Sequence, residues 1–149
     1  MPIKNSVGFI QTSNNKYIIL LDRITNKWMF PGGMVDSRKD IRYDKKLKTS
    51  RISLFKTFSR EYNEETGYEL PQLRNIYRNI GSKDINYFDY GSHTRIYYAQ
   101  ISTSTVNYHD TNETKGITYA SEEEIIRLAN MNQFKFIHSF FCYINLIKT

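Results

Sequence analysis

Residues 60–68 read "REYNEETGY", and upstream of them residues 28–33 read "WMFPGG". On a helix, Glu61, Glu64 and Glu65 stand at i, i+3 and i+4, so three carboxylates converge on one face. Each like-charge pair at that spacing costs about 0.2–0.5 kcal/mol, and Arg60 is the cation beside them. Taken alone, the cluster fits either a solvated acidic surface or a seat for a hard divalent cation bound through oxygen. Ahead of it, Pro31, Gly32 and Gly33 mark a tight turn able to bring backbone close to whatever the acids hold.

Working outward, Ile52, Phe55, Phe58 and Tyr62 recur at spacings of three and four, which predicts a helix from about Ser50 to Thr66, ended by Gly67. "SVGFIQTSNNKYIILLDR" predicts a β-hairpin turning at Ser13–Asn15, and "KWMFPGG" a short strand broken by Pro31. "TRIYYAQIS" predicts a strong strand and "KGITYA" a weaker one. Ser121 with Glu124 forms a capping box opening a short helix through Ala129. The tail, with Phe134, Ile137, Phe140, Phe141, Ile144 and Ile147, predicts an amphipathic helix laid on the sheet.

Turn and acidic helix together resemble the signature of the Nudix hydrolase family. That signature runs from a glycine through a glutamate to Arg-Glu, an apolar residue, any residue, Glu-Glu, any residue and a glycine. Gly33 opens it here, and Arg60, Glu61, Tyr62, Asn63, Glu64, Glu65, Thr66, Gly67 and Tyr68 close it. "ETKGITYASEEEI" is similar to the family's late strand-to-helix segment. The resemblance implies an α/β fold, a Nudix-like α/β/α sandwich with a mixed β-sheet between helices, over a single domain spanning residues 1–149. One departure stands out. Between Gly33 and Arg60 lie 26 residues, twice the family's spacing, so a basic insertion is expected at about residues 37–51. The signature's first glutamate, which supports the loop rather than the metal, has no clean counterpart. Lys39 stands at its spacing from the glycine, with Asp36 and Asp40 nearby.

The resemblance further implies a metal-dependent hydrolase cleaving a nucleoside diphosphate linked to another group. Glu61, Glu64, Glu65 and the Gly33 carbonyl would hold Mg²⁺ or Mn²⁺, and Arg60 would orient the glutamates. The general base is open between Glu64 and Glu113, with Asp110 a weaker alternative. Glu122, Glu123 and Glu124 fit a helix N-terminus, where negative charge is favourable. Trp28 fits core packing or base stacking, and His93, His109 and His138 show no ligand spacing.

The segment at 37–51 carries Arg38, Lys39, Arg42, Lys45, Lys46, Lys48 and Arg51 against Asp40 and Asp44, almost the whole +6 formal charge of the chain. Such a run is either a solvated loop or a grip on a polyanion extending beyond the diphosphate. Capped RNA fits, with decapping releasing 7-methyl-GDP. So does a small nucleotide, a dinucleoside polyphosphate or a diphosphoinositol polyphosphate. Tyr87 and Tyr90 are candidates for stacking a base. Two readings of another kind remain: a catalytically silent Nudix domain that binds a nucleotide or RNA, and a basic RNA-binding protein without an RNA-recognition motif.

Composition narrows the class. The 149 residues are 40% hydrophobic and 15% aromatic, enough for a packed core. No apolar run approaches the ~20 residues of a membrane span, and no signal-peptide core opens the chain. With a single cysteine, Cys142, an internal disulfide and a cysteine-rich zinc site are excluded. The expectation is a cytoplasmic protein acting without membrane, with homodimers possible as in the family. Abundant Asn, Ile, Lys and Tyr suit an A/T-rich genome such as that of a virus or parasite.

Overall fold

The computed structural model describes residues 3–70 and 86–148. The first hairpin forms as expected from β1 (Asn5–Gln11) and β2 (Tyr17–Asp22), with Asn15 in the left-handed region at φ 61°. Both strands carry near-continuous apolar runs because both of their faces are covered. Phe9, Tyr17 and Ile19 point into one core; Ile10, Ile18 and Leu20 point into a second on the other side. Pro31 separates β3 (Trp28–Met29) from β4 (Gly32–Met34), and its carbonyl accepts the Gly8 N–H at 2.9 Å.

The basic segment is not an irregular loop. It folds as a two-stranded antiparallel hairpin, β5 (Ile41–Asp44) and β6 (Thr49–Ile52), pairing Ile41 with Ile52 and Arg42 with Arg51. This corrects the predicted helix start at Ser50. Ser50–Ile52 is strand, and Ile52, expected on the helical stripe, is 45% exposed on the hairpin. The β-branched and aromatic residues Ile41, Tyr43, Thr49 and Ile52 favour a pleated ribbon. The helix then begins where Ser53 caps it, its Oγ accepting the Lys56 N–H at 3.3 Å. That helix, α1 (Leu54–Thr66), buries Phe55, Phe58 and Tyr62 and stops at Gly67, φ 82°, whose N–H reaches the Asn63 carbonyl.

The later elements are β7 (Asn86–Tyr90), β8 (Thr94–Gln100), β9 (Thr114–Ala120), α2 (Glu122–Asn130) and α3 (His138–Cys142), which runs into a π-helical turn at Tyr143–Lys148. The tail thus departs from the single amphipathic helix expected. Left-handed residues at Asn132 and Phe136 break it, and Phe134 instead bridges to Trp28. Its apolar side chains still cover the sheet, through Phe134, Phe140 and Tyr143.

Among the described residues, seven strands form one sheet in the order β3-β2-β1-β8-β7, with β4 beside β1 and β9 beside β2. β1 and β8 run parallel, in register from Asn5 opposite Thr94 to Gln11 opposite Gln100, while the remaining pairs are antiparallel. α1 packs on one face over Ile10, Ile18 and Leu20. Ile125 of α2 and Phe140 of α3 pack on the other, over Phe9 and Tyr17. The result is a mixed sheet between helices, the α/β/α sandwich expected. Among the described residues, no helix is long and apolar enough to cross a membrane.

Candidate active site

The two halves of the sequence signal meet where α1 crosses β4. Gly33 lies so close to α1 that a Cβ added to it would fall 2.4 Å from the Glu61 carboxyl carbon, so any side chain there would displace that carboxylate. Gly32 donates its N–H to Glu65 Oε1 at 2.8 Å. Opposite them the loop before β9 brings in Glu113. One carboxylate oxygen from each of Glu61, Glu64 and Glu113 lies within 4.8 Å of the others. Thr114 fixes that loop, since its buried hydroxyl donates to the Glu65 carbonyl at the end of α1.

Arg60 organises the acids. Its Nη1 donates to Glu61 Oε1 at 3.1 Å and to both oxygens of Glu64 at 3.2 Å, and its Nη2 donates to the Met34 carbonyl at 2.9 Å. The other side of the guanidinium makes a two-pronged pair with Asp40, Nε to Oδ1 at 2.8 Å and Nη2 to Oδ2 at 2.9 Å. Asp40 is 1% exposed and also accepts from the Thr57 hydroxyl and the Asp36 N–H. Burial alone would raise the Asp40 carboxyl, but Arg60, the Asp36 amide and Thr57 outweigh it and hold it below its usual value. Asp40 therefore supplies the loop-supporting carboxylate that the sequence lacked at its regular place, one residue beyond Lys39. The sequence placed Asp40 beside the missing position, an acid one residue out of step, but did not show its pairing with Arg60, nor the roles of Thr57 and Thr114.

Burial and mutual repulsion act on Glu61, Glu65 and Glu113. Burial outweighs the pull of Arg60 and, with the charges of Glu113 and Glu64, pushes Glu61 from 4.5 up to about 7. Burial also raises Glu65 well above the usual range, and raises Glu113, which Glu64 repels. Glu65 is 3% exposed and sits behind the others on the Gly32 amide. Converging carboxylate oxygens are the kind of donor that a hard divalent ion takes.

Two cavities flank this cradle. The smaller, about 310 Å³, opens beside Gly32 and Gly33 and is edged by Tyr90, Lys135, Phe136 and His138. Phe136 is 81% exposed with φ 57°, a backbone state that costs a bulky residue about 1–2 kcal/mol. The larger lies at the other end of α1, against the basic hairpin. The predicted substrate residues divide accordingly. Arg42, Lys45, Lys46 and Tyr87 line the larger cavity and Tyr90 the smaller, whereas Arg38 and Lys39 sit exposed in the turn before β5 and Lys48 at the hairpin tip.

No protein-family model and no curated protein sequence matches the chain. Its architecture does match solved structures. A C. elegans Ap4A hydrolase in a binary complex aligns with a TM-score of 0.58 at 13% identity, covering 95% of this chain and 98% of that one. The Nudix domain of NrtR from Shewanella oneidensis, complexed with ADP ribose, aligns at 0.55 with 16% identity, covering 95% and 84%. The fold is the Nudix fold. A third match is the bifunctional NMN adenylyltransferase/ADP ribose pyrophosphatase of Francisella tularensis, complexed with AMP and a Mn ion. It aligns at 0.62 with 13% identity, over 99% of this chain but only 42% of that enzyme. Within the Nudix fold, α1 with its Arg60-centred acids occupies one face of the sheet and the glycine turn lies at its edge.

Proposed function

We propose that the chain is a metal-dependent pyrophosphohydrolase that cleaves a nucleoside diphosphate linked to another group. The observation that carries this reading is the convergence of Glu61, Glu64 and Glu113, from two distant parts of the chain, beside a glycine turn and around one arginine. Glu61, Glu64 and Glu113 would hold Mg²⁺ or Mn²⁺, with Gly33 packed against Glu61, while Glu65, expected among the ligands, braces the turn through the Gly32 amide. Such an ion supplies positive charge for the diphosphate oxygens and an acidified water. Arg60, anchored by Asp40, keeps Glu61 and Glu64 in place while the charges around them change. Glu64 is partly open to solvent and is the base assigned to the attacking water, with Glu113 as the alternative. Water adds to one phosphorus, the bridging P–O bond breaks, and two phosphorylated products leave. The cavity beside Gly33, with Tyr90 and Phe136 at its mouth, suits the nucleoside.

Within that class, capped RNA is the substrate this reading favours, because the strand-forming basic segment joins the glycine turn to α1. Product analysis by mass spectrometry tests both levels. Capped RNA, dinucleoside polyphosphates, ADP-ribose, nucleoside triphosphates and diphosphoinositols would be offered with Mg²⁺ and then Mn²⁺, beside Glu64→Gln. Release of 7-methyl-GDP that disappears in Glu64→Gln is the expected result. Turnover of small nucleotides alone would keep the hydrolase and remove the RNA. No metal-dependent turnover of any of them would overturn the proposal in favour of a silent binding domain.

A further inference from the structure

The hairpin β5–β6 stands away from the sheet edge, and between them runs a groove of about 760 Å³. Arg42, Lys45, Lys46 and Arg51 form its hairpin wall; Tyr87, Arg95 and Tyr97 form the other; Ser53, Leu54 and Phe55, where α1 begins, form its floor. Arg42 and Arg51 face each other directly across the hairpin, a pairing of like charges that an anion lying over it would relieve. Among the described residues, Lys45, Lys46 and Arg51 make no ion pair, and Asp44 uses its carboxylate on the Lys46 and Leu47 amides. The first turn of α1 carries no acid of its own and opens onto the groove at Ser53, Leu54 and Phe55.

The opposite wall adds an aromatic surface. Tyr87 is 53% exposed, and the Arg95 guanidinium lies 4.1 Å from its ring centre, itself fixed by Asp89 at 2.8 Å. A ring held in this way yet open to solvent is a platform for a planar group. Leu54 on the groove floor lies seven residues along α1 from Glu61 and ten from Glu64, about 10–15 Å at 1.5 Å per residue. A compact nucleotide seated at the acids cannot fill both places. A chain with phosphates at regular intervals can.

We infer that this groove binds single-stranded RNA, with its phosphates over Arg42, Lys46 and Arg51 and a base on Tyr87. The inference rests on the hydrolase reading only for what the RNA is attached to; binding in the groove needs no turnover. An acidic peptide would satisfy the cations but has no use for the tyrosine platform.

The test is fluorescence anisotropy of a short uncapped single-stranded RNA on the full chain in metal-free buffer. It would be run over a salt series, with wild type, Lys46→Glu/Arg51→Glu and Tyr87→Ala, each checked by thermal melting. The charge reversal should weaken binding by more than about tenfold and flatten the salt dependence by about 0.7 units of slope for each phosphate no longer neutralised. Tyr87→Ala should weaken it about tenfold, the scale of one base stack removed, with the slope unchanged. RNA affinity indifferent to both variants would overturn the inference, as would weakening on charge reversal alone with equal competition by poly-glutamate. Groove-dependent RNA binding by a wild type that hydrolyses nothing would uphold the groove and remove the hydrolase reading.

Discussion

Two glutamate triplets in this chain have the same composition and opposite meanings. Glu122, Glu123 and Glu124 occupy the first turn of α2, behind the Ser121 cap, where the helix dipole favours negative charge. Glu61, Glu64 and Glu65 occupy the later half of α1, where the dipole opposes them, and they are drawn inward against a glycine turn. The first triplet relieves the backbone; the second strains against it and against itself. Acids placed where local physics disfavours them need an external partner. The difference lies in position along the helix and in burial, not in residue type.

The comparison can be broken most sharply by neutralising one member of each triplet. Glu64→Gln should lower kcat by about 10²–10⁴-fold, the contribution of a positioned base, while Glu123→Gln leaves it unchanged; steady-state kinetics on one nucleotide substrate decides. Equal loss in both would dissolve the distinction.

Next in size is the support beneath the α1 triplet. Asp40→Asn leaves Arg60 without its two-pronged partner in a buried place. It should cost about 3–5 kcal/mol in denaturant unfolding and about 10–100-fold in activity. Asp40→Glu should restore part of the stability. An unchanged unfolding midpoint in Asp40→Asn would mean that Arg60 is held by the other acids alone.

The raised Glu61 carboxyl gives a smaller effect of defined sign. Its folded pKa of about 7 lies above the ordinary 4.5, so the folded state binds its proton more tightly. The stability this contributes is complete below pH 4.5 and is lost as pH rises through 7. Without metal, the melting temperature should fall between about pH 5 and pH 8 by the equivalent of about 3 kcal/mol at ~1.4 kcal/mol per pKa unit. Millimolar Mg²⁺ should remove that fall, and so should Glu61→Gln; a flat profile in metal-free wild type would contradict it. The smallest expected effect is Ser121→Ala, about 1 kcal/mol of stability from removal of the cap, with no change in kcat.

Local pattern carried much of this protein. The hairpin at β1–β2, the stripe Phe55, Phe58 and Tyr62, the Gly67 stop and the Ser121 cap are all short-range signals, set by side-chain period and capping chemistry, and each appears in the fold. Where the pattern failed, a competing local preference won. Ile52 fits the helical stripe by spacing but pairs with Ile41, because the hairpin gives its β-branched neighbours a ribbon and Ser53 resets the helix start. In the tail, left-handed turns at Asn132 and Phe136 interrupt an apolar period that otherwise suits a helix.

By itself, then, the sequence determined that α1 would carry three crowded acids behind Arg60 and that a glycine turn would precede them. Both depend on interactions within a few residues. Only the tertiary structure decided that Glu113 joins those acids, that Asp40 holds Arg60 and that the basic segment makes one wall of a groove completed by Tyr87 and Arg95. Those partners lie about 20 to 50 residues apart in the chain, and no spacing rule reaches that far. Packing of β4, β8 and the loop before β9 around one helix brings them together.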